Sequence, residues 1–196
     1  MFWDYELSQD PQINMQFDNY LLRPIESKDA DAFFHLIDNN RKRLEDFFAG
    51  TVSRNKTIEE TNVFVPDVIQ RATNKTYFPF VLVDKINDAV IGYVDIKSVD
   101  WSIPKAEVGY FIDKKYENRG ITCKALAKII VYAFDELEMH KLFLRTHESN
   151  IGSIRIAEKN GFTKEGMIRS DYKMTSGVII DVIYYGLLKE EFRKLQ

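Results

Sequence analysis

The sequence predicts a mixed α+β domain, and three observations carry that prediction. The first is alternation: in Ala106–Asp113, Val108, Tyr110 and Ile112 recur at every second position in a run rich in β-branched and aromatic types, the mark of a strand. The second is a change of period after Thr122, where Leu126, Ile129, Ile130, Ala133, Phe134 and Leu137 return at three- and four-residue steps, one apolar stripe of a helix. The third is the order of such segments: strand, two helices, three strands, helix, strand, helix, two strands. With no internal repeat, low-complexity tract or linker, residues 1–196 are expected to form a single domain carrying residues 1–19 as an N-terminal arm.

Residues 1–19 hold Phe2, Trp3, Tyr5 and Phe17 among polar residues without a period, an aromatic arm expected to lie on the domain or on a partner subunit. Tyr20–Ile25 reads as a short strand stopped by Pro24, and Ser27 or Asp29 as the cap of a helix carrying Phe33, Phe34, Leu36 and Ile37. The basic cluster Arg41-Lys42-Arg43 reads as a solvated helix face, with a binding patch as the alternative. A second helix is expected over Ile58–Arg71, kinked or interrupted at Pro66. Tyr77–Asp84 and Ala89–Ser98 are strands joined by a turn at Ile86-Asn87-Asp88, and Trp101–Lys105 is a loop into the central strand. Lys141–Glu148 is a further strand, Ser149-Asn150 caps a helix and Asn160-Gly161 ends it. Gly166–Met174 and Val178–Leu188 form a closing hairpin around Thr175-Ser176-Gly177.

Composition narrows the function classes. Apolar residues at 45% and charged residues at 29% are ordinary for a soluble globular chain. A net charge of −3 argues against a nucleic-acid-binding surface and suits a cationic acceptor such as an amine. One cysteine cannot form an internal disulfide, which points to a reducing cytoplasm. The first residues carry Asp4 and Glu6 and do not read as a signal peptide. The longest apolar run near the C-terminus is broken by Asp181 and is too short to span a membrane. His35, His140 and His147 lack metal-ligand spacing, so no metal is expected.

Between the central strand and its helix lies Lys114-Lys115-Tyr116-Glu117-Asn118-Arg119-Gly120-Ile121-Thr122-Cys123-Lys124. A charged, glycine-containing loop that enters a helix is a possible phosphate site, because first-turn N–H groups have no intrahelical partners and the dipole is positive there. An ordinary strand–helix connection would have the same look. The loop lacks the Gly-Lys-Ser/Thr ending of a triphosphate loop and the three spaced glycines of a dinucleotide fingerprint.

Glu117-Asn118-Arg119-Gly120-Ile121-Thr122 resembles the acetyl-CoA signature of the GCN5-related N-acetyltransferase (GNAT) superfamily, Gln/Arg-x-x-Gly-x-Gly/Ala, with Glu117 and Thr122 departing from it. The resemblance extends from about Tyr20 to Phe192 and is to the ribosomal-protein N-terminal (alanine/serine) acetyltransferase branch. It is carried by Leu21-Leu22-Arg23-Pro24, Arg43-Leu44-Glu45-Asp46-Phe47, Ala106-Glu107-Val108-Gly109-Tyr110, Asn150-Ile151-Gly152-Ser153, Glu158-Lys159-Asn160-Gly161-Phe162 and Tyr184-Tyr185-Gly186-Leu187-Leu188. It implies the GNAT fold, a central, mostly antiparallel twisted sheet flanked by helices, and acetyl-CoA as cosubstrate. Phe111 and Ile112 would lie beside pantetheine and the thioester, and Asn118, Arg119, Gly120, Ile121, Thr122 and Cys123 around the pyrophosphate.

Direct attack by an amine on a thioester requires a proton acceptor for the amine, a stabilised oxyanion and a proton donor for the departing thiolate. Glu107, at the start of the central strand, is the candidate base, with a solvated strand-end glutamate as the alternative. The acid tyrosine that many members carry is replaced by Ala157, whereas Asn150 and Ser153 match the Asn-x-x-Ser of the ribosomal-protein branch. The resemblance therefore makes Ser153 the donor to the leaving sulfur and Asn150 a holder of pantetheine or of the helix end. The first helices would wall the acceptor side, bringing Phe47 and Phe48 close to substrate. Cys123 reads as a packing residue, and Asp181 is expected to pair with Arg or Lys. The predicted activity is transfer of acetyl from acetyl-CoA to a protein N-terminal α-amine. Acetylation of a small amine and a non-catalytic CoA-binding module are the alternatives, and the aromatic arm makes a homo-oligomer an expectation.

Overall fold

The computed structural model describes residues 13–194. In chain order the elements are β1 (Met15–Phe17), β2 (Tyr20–Pro24), α1 (Ala30–Leu44), α2 (Ala49–Ser53), α3 (Ile58–Thr73), β3 (Phe78–Asp84), β4 (Ala89–Asp100) and β5 (Lys105–Ile112). There follow α4 (Ile121–Asp135), β6 (Lys141–Thr146), α5 (Ile151–Lys159), β7 (Thr163–Lys173), β8 (Ile179–Leu188) and α6 (Lys189–Lys194). The strands make one sheet in the order β1-β2-β3-β4-β5-β6-β8-β7, antiparallel except where β5 and β6 run parallel. The mixture of strands and helices is the one that the periodicities predict, and the mostly antiparallel sheet is the one that the resemblance implies.

Alternating side chains of the sheet feed two apolar layers. On one face Val94, Ile96, Val108 and Ile112 meet Leu126, Ile129, Ile130 and Phe134 of α4. On the other, Val81, Val83, Tyr93 and Phe111 meet Phe33 and Ile37 of α1 and Phe64 and Val68 of α3. β3 is buried along its whole length because both layers cover it.

Several local expectations change. Part of the arm is structured: Met15–Phe17 pairs with Tyr20–Leu22 as an edge strand, and Ile13, Met15 and Phe17 pack on the core. The arm's Phe2, Trp3 and Tyr5 lie outside the described residues. α3 runs through Pro66 without interruption, held by the burial of Phe64, Val65 and Val68 around it. Asp29 gives α1 no side-chain cap; it binds the Glu26 N–H at 2.8 Å and Arg23 through both oxygens at 2.7 and 2.8 Å. Asp181 does not pair with a cation. Its Oδ1 accepts the Ser170 N–H at 2.8 Å, where Ser170 (φ 52°) sits in a bulge of β7 opposite β8. The short helices α2 and α6 are absent from the periodic reading, being too brief to show a repeat.

Candidate active site

The site is made by a failure of pairing. β5 pairs with β6 only over Lys105–Glu107 against Lys141–Phe143, although β5 continues to Ile112 and β6 to Thr146. Beyond Glu107 the two strands part, leaving the β6-facing edge of Val108–Ile112 without a ladder partner while its other edge stays bonded to β4. Backbone groups so exposed require a partner, and an extended ligand with amides of its own supplies one. A cleft of about 1150 Å³ opens at the divergence and is lined from both faces of the sheet.

At one end of the cleft is the glycine loop. Asn118 (φ 61°) and Gly120 (φ 74°) both take left-handed backbone, and Gly120 enters α4 without a side-chain cap, so the first N–H groups of that helix remain open. Asn118, Gly120, Ile121, Thr122 and Cys123 all border the cleft; Arg119 does not, and lies over the Tyr116 ring at 5.1 Å. The acidic Glu117, which departs from the signature, has a partner. Arg43 Nη1 donates to Glu117 Oε1 at 2.7 Å, and Nη2 donates to the Ile112 carbonyl and to Asn40 Oδ1. The basic cluster of α1 is thus not simply a solvated face, since Arg43 ties that helix to the loop. Asn160 Nδ2 donates to Cys123 Sγ at 3.2 Å, which fits the packing role expected of the thiol.

Ser153 lies in the first turn of α5, where Asn150 Oδ1 accepts its N–H at 3.1 Å as a helix cap. Tyr110 reaches it across the divergence, its hydroxyl 3.2 Å from Ser153 Oγ and 3.1 Å from the Ser153 carbonyl. Burial pushes the Tyr110 phenol above its ordinary value, partly offset by the Ser153 contact, so it remains a protonated donor at neutral pH. Phe111 and Ile112 also border the cleft, with Phe111 packed edge-on against Phe48 at 5.0 Å.

The opposite face is polar. Glu107 is buried and lines the cleft; its Oε2 accepts from Arg145 Nη2 at 2.9 Å and Ser98 Oγ at 3.3 Å, and Oε1 from Arg145 Nε at 3.2 Å. Burial lowers the Arg145 guanidinium, Glu107 raises it by more, and the outcome is a cation held above its usual range. The Arg145 ladder continues to Asp171 at 3.3 Å, which accepts from Tyr184 at 3.1 Å. Beside Glu107 stands Asp95, 1% exposed, accepting the Tyr77 hydroxyl on Oδ2 at 2.6 Å, with Tyr93 2.9 Å from Tyr77. Burial raises both phenols well above their ordinary values and keeps them protonated. The β7–β8 hairpin closes this side against the segment after α1: Tyr172 accepts the Ala49 N–H at 2.9 Å, and Thr175 Oγ1 donates to the Glu45 carbonyl at 2.9 Å.

Every residue expected at the site therefore borders one cleft, apart from Arg119. Arg43, Asp95, Lys97, Tyr110 and Arg145 were not singled out. Asp95 and Lys97 share the strand's second face with Tyr93, and a charged pair on the alternate positions of a strand is the one signal that marks them. Among the described residues no group of His, Cys, Asp or Glu is placed to hold a metal ion.

The family model described as acetyltransferase (GNAT) domain matches residues 19–163. The chain belongs to the GNAT acetyltransferase family. It is an N-acetyltransferase of that family, whose members use acetyl-CoA. The Bacillus subtilis protein named "Putative ribosomal N-acetyltransferase YdaF" is 34% identical over 173 residues, 87% of this chain and 92% of that one. Among solved structures, the ribosomal-protein-S5-alanine acetyltransferase of Vibrio fischeri superposes with a TM-score of 0.83 at 22% identity, covering 92% of this chain and 98% of that one. RimL, the ribosomal L7/L12 α-N-protein acetyltransferase in complex with coenzyme A, gives 0.80 at 18% identity, covering 87% and 94%. At such identities these two GNAT structures speak for the fold alone. No helix of the described residues is long and apolar enough to cross a membrane.

Proposed function

We propose that this GNAT enzyme acetylates the N-terminal α-amine of a protein, by direct attack of the amine on the thioester of acetyl-CoA. The observation that carries the reading is a cleft that passes through the sheet at the β5–β6 divergence. The open helix terminus and Ser153 lie on one side, and a chamber holding the buried carboxylates of Asp95 and Glu107 lies on the other. A thioester carried along the unpaired edge of Val108–Ile112 meets an amine arriving from the opposite face. The resemblance to a ribosomal N-acetyltransferase over nearly the whole chain favours an α-amine, as does chemistry: its pKa of roughly 8 lies well below the ~10.4 of a lysine side chain.

The chain's own groups divide the work. The open N–H groups of the Asn118–Cys123 loop bind pyrophosphate, and Arg43 neutralises Glu117 beside it. The unpaired edge of Val108–Ile112 holds pantetheine beside Phe111 and Ile112, and an N–H on that edge polarises the carbonyl. Asn150 fixes the first turn of α5 and so aims Ser153. The Tyr110 hydroxyl, within hydrogen-bond reach of Ser153 Oγ, holds the serine in the cleft, where its proton can pass to the sulfur as the carbon–sulfur bond breaks. Glu107 borders the space where the amine loses its proton. Because Arg145 and Ser98 already engage both of its oxygens, it serves there through water or by holding Arg145 in place.

The test is acetyl transfer to peptides beginning with Ala, Ser or Met, against the same peptides with a blocked N-terminus and against spermidine and aminoglycosides. Acetylation of the free-amine peptides alone supports the proposal. Turnover only with a small amine contradicts the protein acceptor, and acetyl-CoA binding without any turnover contradicts catalysis.

A further inference from the structure

The chamber beside Asp95 and Glu107 already contains an ammonium. Lys97 Nζ stands 3.6 Å from Asp95 Oδ1 and 3.9 Å from Glu107 Oε1, and 5.4 Å above the centroid of the Phe48 ring. Both charge contacts are longer than hydrogen bonds, and the lysine side chain keeps 30% of its surface exposed. Asp95 Oδ1 is a buried carboxylate oxygen with no hydrogen-bond partner, at 2% side-chain exposure. An orphan of that kind carries a desolvation cost that a matching cation would relieve. The floor of this space is Gly109, the register partner of Asp95 on β5; a Cβ there would stand 2.5 Å from Asp95 Oδ1, 2.9 Å from Lys97 Nζ and 3.3 Å from the Phe48 ring. Gly109 lies on the segment where β5 has parted from β6, so the chamber opens beside the divergence.

We propose that Asp95, Glu107 and the Phe48 ring form the acceptor's ammonium subsite, and that Lys97 is an internal occupant which withdraws when a substrate amine enters. Two carboxylates and an aromatic face are the recognition chemistry of a primary ammonium. The Oδ1 of Asp95, without a hydrogen-bond partner, supplies the direct hydrogen bond that Lys97 does not complete, while Glu107, bonded to Arg145 through both oxygens, contributes mainly its charge. Burial pulls the Lys97 ammonium down, Asp95 and Glu107 pull it up by more, and it ends above the usual lysine range, so the occupant is a cation. Lys97 is long, flexible and partly exposed, and can leave without disturbing β4. The inference rests on the proposed transfer to an amine and names the group that recognises it.

The experiment titrates alaninamide, and lactamide as its uncharged counterpart, into the CoA-bound protein by calorimetry. Wild type should bind alaninamide in clear preference to lactamide. Asp95→Asn should weaken alaninamide at least about tenfold, the scale of a charged hydrogen bond lost from a buried site. Lys97→Met should tighten it about threefold, because an internal competitor has gone. CoA affinity should stay unchanged in both. Should Asp95→Asn fail to fold, Gly109→Ala keeps both charged side chains but pushes the Asp95 carboxylate from its place, and should give the same loss. Equal binding of the two ligands, unaltered alaninamide binding in Asp95→Asn or Gly109→Ala, or weaker binding in Lys97→Met would overturn the subsite. Failure of the N-terminal reading looks different: alaninamide binding would depend on Asp95 while no peptide is acetylated.

Discussion

Ser153 and Tyr110 form the smallest unit on which the account depends. Ser153→Ala removes the proposed proton donor and leaves the Asn150 cap in place, because that cap binds the backbone N–H of the residue. The expected result is a loss of kcat of roughly a hundredfold with acetyl-CoA affinity little changed, the scale of a general acid removed. Tyr110→Phe should reproduce part of that loss, since Ser153 Oγ then loses the hydroxyl that holds it; steady-state rates with acetyl-CoA binding measured in parallel check both. Ser153 and Asn150 are legible in the sequence because the helix start and the Asn-x-x-Ser spacing are local. Asp95 and Lys97 are not. Their meaning comes from register, which sets Asp95 over Gly109 and Lys97 over Glu107 on the neighbouring strand, and from the burial of Tyr77 and Tyr93 behind them. Arg145 is hidden for the same reason, since it meets Glu107 only where β5 and β6 part.

At the scale of elements, α1 and the Asn118–Cys123 loop are joined through Arg43 and Glu117. A carboxylate next to the proposed pyrophosphate site would repel it, and Arg43 would compensate. Arg43→Ala should weaken acetyl-CoA binding by roughly tenfold, and the double substitution with Glu117→Gln should recover most of it, a non-additivity that a double-mutant cycle reads directly. The loop itself needs the left-handed backbone at Gly120, so Gly120→Ala should cost about 1 kcal/mol of stability and weaken acetyl-CoA binding as well. The bounds of α5 are marked locally: Asn150 caps its start and Gly161 (φ 84°) follows its end, as expected. What the local pattern could not show is compensation between elements: packing around Pro66 keeps α3 whole, and Asp181 finds a bulge amide.

The link from β2 to α1 offers a pH test at the same scale. Burial raises the Asp29 carboxyl, its bonds from Arg23 and the Glu26 N–H lower it by more, and it ends below its ordinary value. A group whose folded pKa is depressed stabilises the fold above its unfolded pKa, about 3.9, and that contribution fades as pH falls through the folded value. Asp29→Asn should therefore melt below wild type at pH 7, and the difference should shrink steadily as the pH is brought below about 4.

On the scale of the whole molecule, two apolar layers grip one sheet, and the sheet is opened at a single seam. The layers make the seam possible: β5 is held on its β4 edge and on both faces, so its other edge can remain free for a ligand without loosening the core. Substituting the buried Phe33 by Ala, at the centre of the α1–α3 layer, should cost about 3–5 kcal/mol and shift the thermal midpoint strongly, although it touches no reacting group. The mixed sheet was legible from the order of periods, but the seam was not, because it is an absence of pairing between strands that look alike in sequence.

The central claim is that acetyl-CoA enters that seam from one face and an α-amine from the other. The most direct measurement is mass spectrometry of a peptide bearing both a free N-terminal alanine and an internal lysine, after incubation with acetyl-CoA and the enzyme, with fragmentation to locate the acetyl group. The account predicts one acetyl group, on the α-amine, and none with Ser153→Ala on the same timescale. Acetylation of the lysine side chain instead, or an unmodified peptide beside efficient acetylation of spermidine, would contradict it.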